Sequence, residues 1–187
     1  MCNIAGRHAT ALLVVDVQVG VVANAWKRDE VVQNIASLVA DARAHSIPVI
    51  WVQHSDEGLQ FGSDDWAIVP ELVPADGEPI VHKRYRSSFE ETDLEQLLTE
   101  RSVGHLVICG AQTEFCIRNA VHAAYERGYD VTLVEDAHTT EDTHWDERPI
   151  AAAQIVDSQN RVSWQYELPG RTCTLSPTQD AFAAVAL

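Results

Sequence analysis

Residues 11–17 read ALLVVDV, six apolar side chains and one carboxylate with no polar–apolar alternation. A strand with one wet face alternates, whereas a near-continuous apolar run fits a strand covered on both faces, as in a parallel sheet packed between helices. Comparable short runs at residues 49–53, 80–82, 106–109, 131–134 and 172–175 are read the same way. Between them apolar residues recur at helical spacing. Val31, Val32, Ile35, Leu38, Val39 and Ala42 follow an N-cap expected at Asp29. Leu94, Leu97 and Leu98 follow Thr92-Asp93-Leu94-Glu95, which has the form of a capping box. Ile117, Ala120, Val121 and Ala124 precede Gly128, a natural helix stop. A fourth helix is expected to open near Asp146-Glu147-Arg148-Pro149, and Pro169-Gly170 to turn the chain into the last strand. Strands alternating with helices predict βαβ units and a doubly wound α/β fold. Residues 55–79, rich in glycine and proline, break the pattern. A loop of that length inside a compact domain is expected to be a lid or binding loop.

Length and charge narrow the function. The 187 residues predict a single domain spanning 1–187, and the 46% hydrophobic content supplies a core. Thirteen Lys+Arg against 28 Asp+Glu give a formal net charge of −15, which argues against nucleic acid and anionic membrane as partners. No run is long and apolar enough for a bilayer helix. Residues 1–10 lack the charged-then-apolar pattern of an export signal, so a cytoplasmic protein is expected. Its cysteines Cys2, Cys109, Cys116 and Cys173 show no C-x-x-C spacing and are expected as free thiols.

Open α/β sheets bind ligands beyond the carboxyl ends of their strands. Three strand ends there carry reactive groups: Asp16, Lys83 and, through Gly110-Ala111-Gln112-Thr113-Glu114-Phe115, Cys116. Thr113 reads as an N-cap, which would set Cys116 in a first helical turn whose amides lack intrahelical partners. The helix N-terminus would lower the thiol pKa there. One position would then supply both a nucleophile and an oxyanion donor. A carboxylate buried at Asp16 needs a partner, and Lys83 is the candidate. The plainer alternatives are a space-filling thiol at Cys116, a structural ion pair or helix cap at Asp16, and a solvated basic strip at His82, Lys83, Arg84 and Arg86.

The segments ALLVVDVQ, HKRYRSSF, VICGAQTEFCI and NAVHAAYERGYDVTLVEDA, in this order between Ala11 and Ala137, resemble the isochorismatase-like cysteine hydrolases. That superfamily includes nicotinamidases, N-carbamoylsarcosine amidase and streptothricin hydrolase. The resemblance implies a three-layer α/β/α sandwich on a six-stranded parallel sheet, within a homo-oligomer (dimer or tetramer). It implies an Asp-Lys-Cys triad at Asp16, Lys83 and Cys116, an oxyanion hole from the backbone N–H groups of Gln112 and Cys116, and a cis peptide at Ala111–Gln112. Cys116 would attack a carbonyl carbon, Asp16 would shuttle the proton, and water would hydrolyse the thioester.

Departures from the family narrow the chemistry. Nicotinamidases carry an Asp-x-His metal motif after the second strand. Here the stretch reads Trp51-Val52-Gln53-His54, with Gln53 in place of the aspartate and no later histidine before His82, so no metal and no cofactor are expected. Siderophore-type isochorismatases lack the cysteine, so Cys116 points to hydrolysis of a C–N bond (amide, carbamoyl or lactam) in a small molecule. The alternatives are an inactive binding relative of the same fold and an isochorismatase-type hydrolase of a different bond. Thiol redox chemistry between Cys116 and Cys109 would need a strand-buried side chain to swing out. Gln112, Phe115, Phe89, Trp66 and His138 are candidate substrate-binding residues, and Trp145 a further rim aromatic. His138 and His144 flank an acidic stretch read as a rim or solvated loop. The acidic surface favours neutral or cationic amides, although the Lys83–Arg86 strip could receive a carboxylate.

Overall fold

The computed structural model describes residues 2–183. Its main sheet contains β1 (Ala9–Val15), β2 (Val49–His54), β3 (Ile80–Lys83), β4 (Val103–Ala111), β5 (Asp130–Thr139) and, as the last strand, Cys173–Ser176. A separate hairpin of β6 (Thr143–Trp145) and β7 (Arg148–Ile150) makes that last strand β8. The order is β3-β2-β1-β4-β5-β8, with every pairing parallel. The direction of winding reverses between β1 and β4, where an open α/β sheet places its ligand crevice.

The pleat of β1 explains the unbroken apolar run. Leu12 and Val14 face one layer, where α2 (Arg28–Ala44) contributes Val31, Val32, Ile35 and Leu38. Ala11, Leu13 and Val15 face the other, with Leu94 and Leu98 of α3 (Leu94–Glu100) and Ala120, Val121 and Ala124 of α4 (Arg118–Glu126). Burying a leucine or valine side chain is worth about 1.5–3 kcal/mol, so both faces drive the sheet into the middle layer. α1 (Val19–Val22) follows β1, and α5 (Ala152–Trp164) packs on β5 and β8. Among the described residues no helix is long and apolar enough to cross a membrane.

Local expectations are corrected at five places. The strand expected to run through Asp16 ends at Val15, because Asp16 adopts φ +51°, outside the strand region. The N-cap of α2 is Lys27, at φ +53°, and Asp29 lies inside the first turn. Glu95 does not fold back on Thr92; it accepts from Arg7 at 3.0 Å and Tyr129 at 2.9 Å, so tertiary partners take the side chain the capping box needs. Residues 146–149, expected to open a helix, form the turn and return strand of the β6–β7 hairpin, with Asp146 at φ +53°. Proline is tolerated at position 149 because a two-stranded ribbon has two edges. The helix opens at Ala152, whose N–H donates to Asp142 Oδ1 at 2.8 Å. The fifth correction, at Thr113, belongs to the site.

The long segment 55–79 has little regular structure but is anchored. Val69 and Leu72 enter the core. Glu78 accepts from Arg43 at 2.8 Å and from the Trp51 indole at 2.7 Å. Gln18, fully buried, donates to the carbonyls of His54 at 3.0 Å and Trp66 at 2.7 Å.

Candidate active site

Gly110 brings the ends of β1 and β4 together. It sits at φ +125°, and a Cβ there would lie 2.0 Å from the Val15 carbonyl oxygen, so no other residue allows this approach. Asp16 follows Val15, donates its N–H to Val52 O at 2.9 Å and is 1% exposed. Lys83 closes β3 with an equally buried side chain. Its Nζ lies 2.7 Å from Asp16 Oδ2 and donates to Cys116 Sγ at 3.3 Å and to Tyr85 O at 3.1 Å. Three strands thus deliver Asp16, Lys83 and Cys116 to one point.

The turn that carries Cys116 follows a cis peptide between Ala111 and Gln112. Thr113–Ile117 form a single π-helical turn leading into α4, in which the Gln112 carbonyl accepts from the amides of Phe115 at 3.1 Å and Ile117 at 3.2 Å. Gln112, not Thr113, holds the cap position. The Thr113 hydroxyl is engaged with His138 Nδ1 at 2.9 Å, and this removes it from capping. His138 Nε2 in turn meets Asn160 Oδ1 at 2.9 Å, while Asn160 Nδ2 donates to Glu135 O at 3.2 Å. The Asn160 orientation makes Oδ1 an acceptor, so Nε2 carries the imidazole proton and Nδ1 accepts from Thr113. Burial lowers the His138 pKa and favours this neutral form.

The electrostatics differ from the expectation of an activated thiolate. Burial, followed by the Asp16 charge, pushes the Cys116 thiol up to about 12, while Lys83 pulls the other way. Burial also raises Asp16, opposed chiefly by Lys83. At neutral pH the thiol is therefore protonated, and Asp16 is a stronger base than an ordinary aspartate. The thiol does not rest as a thiolate.

A cleft of about 210 Å³ opens over this point, lined by Asp16, Cys116, Gln112, Phe115 and Val21. His54, Asp56 and Arg86 complete its wall; the sequence offers Arg86 only as part of the Lys83–Arg86 strip, and His54 and Asp56 not at all. His54 was accessible to the strand-end rule, since it closes β2. Its Nε2 is 3.0 Å from Asp56 Oδ2, and its Nδ1 is 3.4 Å from Lys83 Nζ. That hydrogen bond and the amides of Leu59 and Gly58 hold the Asp56 carboxyl below its usual range. Gln112 turns its amide to Glu141 Oε1 at 3.2 Å and Val21 O at 3.4 Å.

The other candidate aromatics and His138 stand elsewhere. Phe89 is packed against Tyr129 in the core of the α3–α4 face, with ring centroids 6.1 Å apart. Trp66 belongs to a cluster with Phe61 and His82, at 4.4 and 5.5 Å. His138 is buried against the Thr113–Ile117 turn, while Trp145 and His144 are exposed on the hairpin.

The fold and the strand-end site define a doubly wound α/β protein with a cysteine-bearing cleft at the switch point of its sheet, and the comparisons give its family. Residues 10–164 match the isochorismatase domain family, and the chain belongs to that family of hydrolases. It is 32% identical over 155 residues to the isochorismatase family protein YddQ of Bacillus subtilis, covering 78% of this chain and 86% of that one. It is 34% identical over 143 residues to streptothricin hydrolase of Streptomyces noursei, covering 73% of this chain but only 56% of the hydrolase. The crystal structure of an isochorismatase from Pseudomonas putida superposes with a TM-score of 0.82 at 30% identity, over 92% of this chain and 90% of that one.

Proposed function

We propose that this chain is a metal-independent cysteine hydrolase that cleaves the C–N bond of a small amide, carbamoyl or lactam compound through a thioester on Cys116. The observation that carries the reading is the contact of Lys83 Nζ with both Asp16 Oδ2 (2.7 Å) and Cys116 Sγ (3.3 Å) at the floor of the cleft. Asp16 takes the thiol proton as Sγ bonds to the carbonyl carbon, and the oxyanion is received by the backbone N–H groups of Gln112 and Cys116. The C–N bond breaks as Asp16 passes the proton to the leaving nitrogen. Water then attacks the thioester, giving its proton to Asp16, and the departing sulfur recovers that proton as the acid leaves. Lys83 opposes the burial that raises Asp16 and so favours its charged form.

The residues present do not fit the metal site of nicotinamidase-like relatives. Gln53 is buried and neutral, with Nε2 donating to Trp66 O at 3.1 Å, and both ring nitrogens of His54 are engaged by Asp56 and Lys83. The reading takes no cofactor. It places the enzyme in the cytoplasm as a homo-oligomer, checkable by fractionation and size-exclusion chromatography.

The test is release of ammonia or amine from a panel of small amides, ureides and lactams. Wild type is expected to turn over at least one class, with Cys116→Ser and Asp16→Asn each losing about 10²-fold or more. Turnover that survives Cys116→Ser, or requires added metal, would overturn the proposal.

A further inference from the structure

Arg86 is a cation of the cleft with no anion supplied by the described residues. Its guanidinium carbon stands 3.6 Å from the Phe115 ring centroid, and this stacking is the only interaction the side chain makes with the described residues. Stacking covers a face of the guanidinium and leaves its in-plane N–H edge open, the edge that pairs with a carboxylate by two parallel hydrogen bonds. Three acids near the cleft already have partners. Asp16 pairs with Lys83, Asp56 accepts from His54 and the amides of Gly58 and Leu59, and Glu141 holds Gln112. The basic strip has been divided: Lys83 is buried within the reactive cluster, and Arg86 is exposed on the cleft wall.

Position ties this group to the chemistry. Phe115, its stacking platform, immediately precedes Cys116. The segment that bears Arg86 is fastened to Lys83 through the Lys83–Tyr85 carbonyl bond of 3.1 Å. The negative surface of the protein acts at long range and is screened over about 8–10 Å in physiological salt, so the contact within the cleft decides binding. A volume of about 210 Å³ is also smaller than the roughly 300–1,000 Å³ of drug-sized sites, which suits a short molecule.

We infer that the substrate is a small amide or carbamoyl compound that also carries a carboxylate, held by Arg86 while its C–N bond is presented to Cys116. This rests on the cysteine-hydrolase reading and adds the substrate class to it. It replaces the preference for neutral or cationic amides that the net charge suggests.

The test compares isosteric pairs that differ only in charge: malonamate with malonamide, succinamate with succinamide, and glutaramate with glutaramide. Binding is read by calorimetry, which needs no reactive thiol, and by protection of Cys116 from iodoacetamide. In wild type at least one carboxylate is expected to bind about tenfold or more tightly than its diamide. The ratio should fall to about one in Arg86→Gln and recover in part in Arg86→Lys, with unchanged thermal midpoints showing that the variants fold. A ratio near one in wild type, a ratio unchanged in Arg86→Gln, or no binding by any carboxylate would each overturn the assignment. If the ratio stands while neither series is hydrolysed, the Arg86 assignment holds and C–N hydrolysis fails. If diamides are hydrolysed as well as monoamides, hydrolysis holds and the assignment fails.

Discussion

Lys83 Nζ lies 2.7 Å from Asp16 Oδ2, and both side chains are sealed from solvent, at 0% and 1% exposure. Breaking a buried ion pair from one side leaves an uncompensated charge and costs about 3–5 kcal/mol, whereas removing both charges is often close to neutral. Lys83→Met is therefore expected to lower unfolding free energy by an amount in that range. The double variant Lys83→Met/Asp16→Asn should recover at least half of the loss, as read by urea unfolding of all four members of the cycle. Additive losses would show that the two groups do not share one ion pair.

Asp16 separates reactivity from catalysis. Its charge is the second cause, after burial, of the raised Cys116 pKa, so Asp16→Asn should bring the thiol down from about 12 while lowering turnover about 10²-fold or more. Thiolate absorbance near 240 nm, taken as a difference against the same variant with Cys116→Ser, measures the shift. A thiol that titrates unchanged in Asp16→Asn would remove Asp16 from contact with it.

The His138 bridge gives stability a pH dependence of known sign. Burial lowers the folded pKa of His138 below the ordinary value of about 6.5. Above that value neither state binds the proton and the contribution is flat. Below it the unfolded chain is protonated before the folded one, so stability falls as pH drops toward the lowered folded value, by at most about 1.4 kcal/mol per pH unit per group. His105 and His122 are lowered by burial in the same direction. Unfolding free energy is expected to decline from pH 7 to pH 5, with a shallower slope in His138→Gln. The lowered carboxylates Glu71 and Glu78 lose their contributions only in a more acidic window. An identical slope in His138→Gln would contradict the assignment.

Gly110→Ala tests the seam that joins β1 to β4. The added methyl would stand 2.0 Å from Val15 O at a backbone angle of +125°, combining a clash with a conformation L-residues avoid. A loss of about 3 kcal/mol or more is expected from thermal or urea unfolding, whereas Gly62→Ala, with nothing within 4 Å of its Cβ, should cost far less. Equal losses at the two positions would mean that the approach of Gly110 to Val15 is not tight.

The sequence made the sheet and its reactive rim legible because both rest on patterns that survive folding. An apolar run such as ALLVVDV has one stable place in an α/β protein, and Asp16, Lys83 and Cys116 followed from where strands end. Capping and turn chemistry were less legible, because competing partners lie far away in sequence. Thr113 is taken by His138 and Glu95 by Arg7 and Tyr129, and nothing within the local windows signals either. The thiol pKa departs from the local pattern for a related reason. A helix terminus was expected to dominate, whereas burial and a neighbouring carboxylate prevail. Arg86 was visible only as part of a basic strip, and which member of that strip meets the cleft depends on the stacking with Phe115.

The most direct measurement is rapid-quench mass spectrometry of the enzyme mixed with whichever amide releases ammonia in the panel. The mechanism predicts a mass gain equal to the acyl fragment, located on the Cys116 peptide, removed by hydroxylamine and absent in Cys116→Ser. Ammonia release with no acyl group on Cys116 at any quench time, together with undiminished turnover in Cys116→Ser, would contradict it.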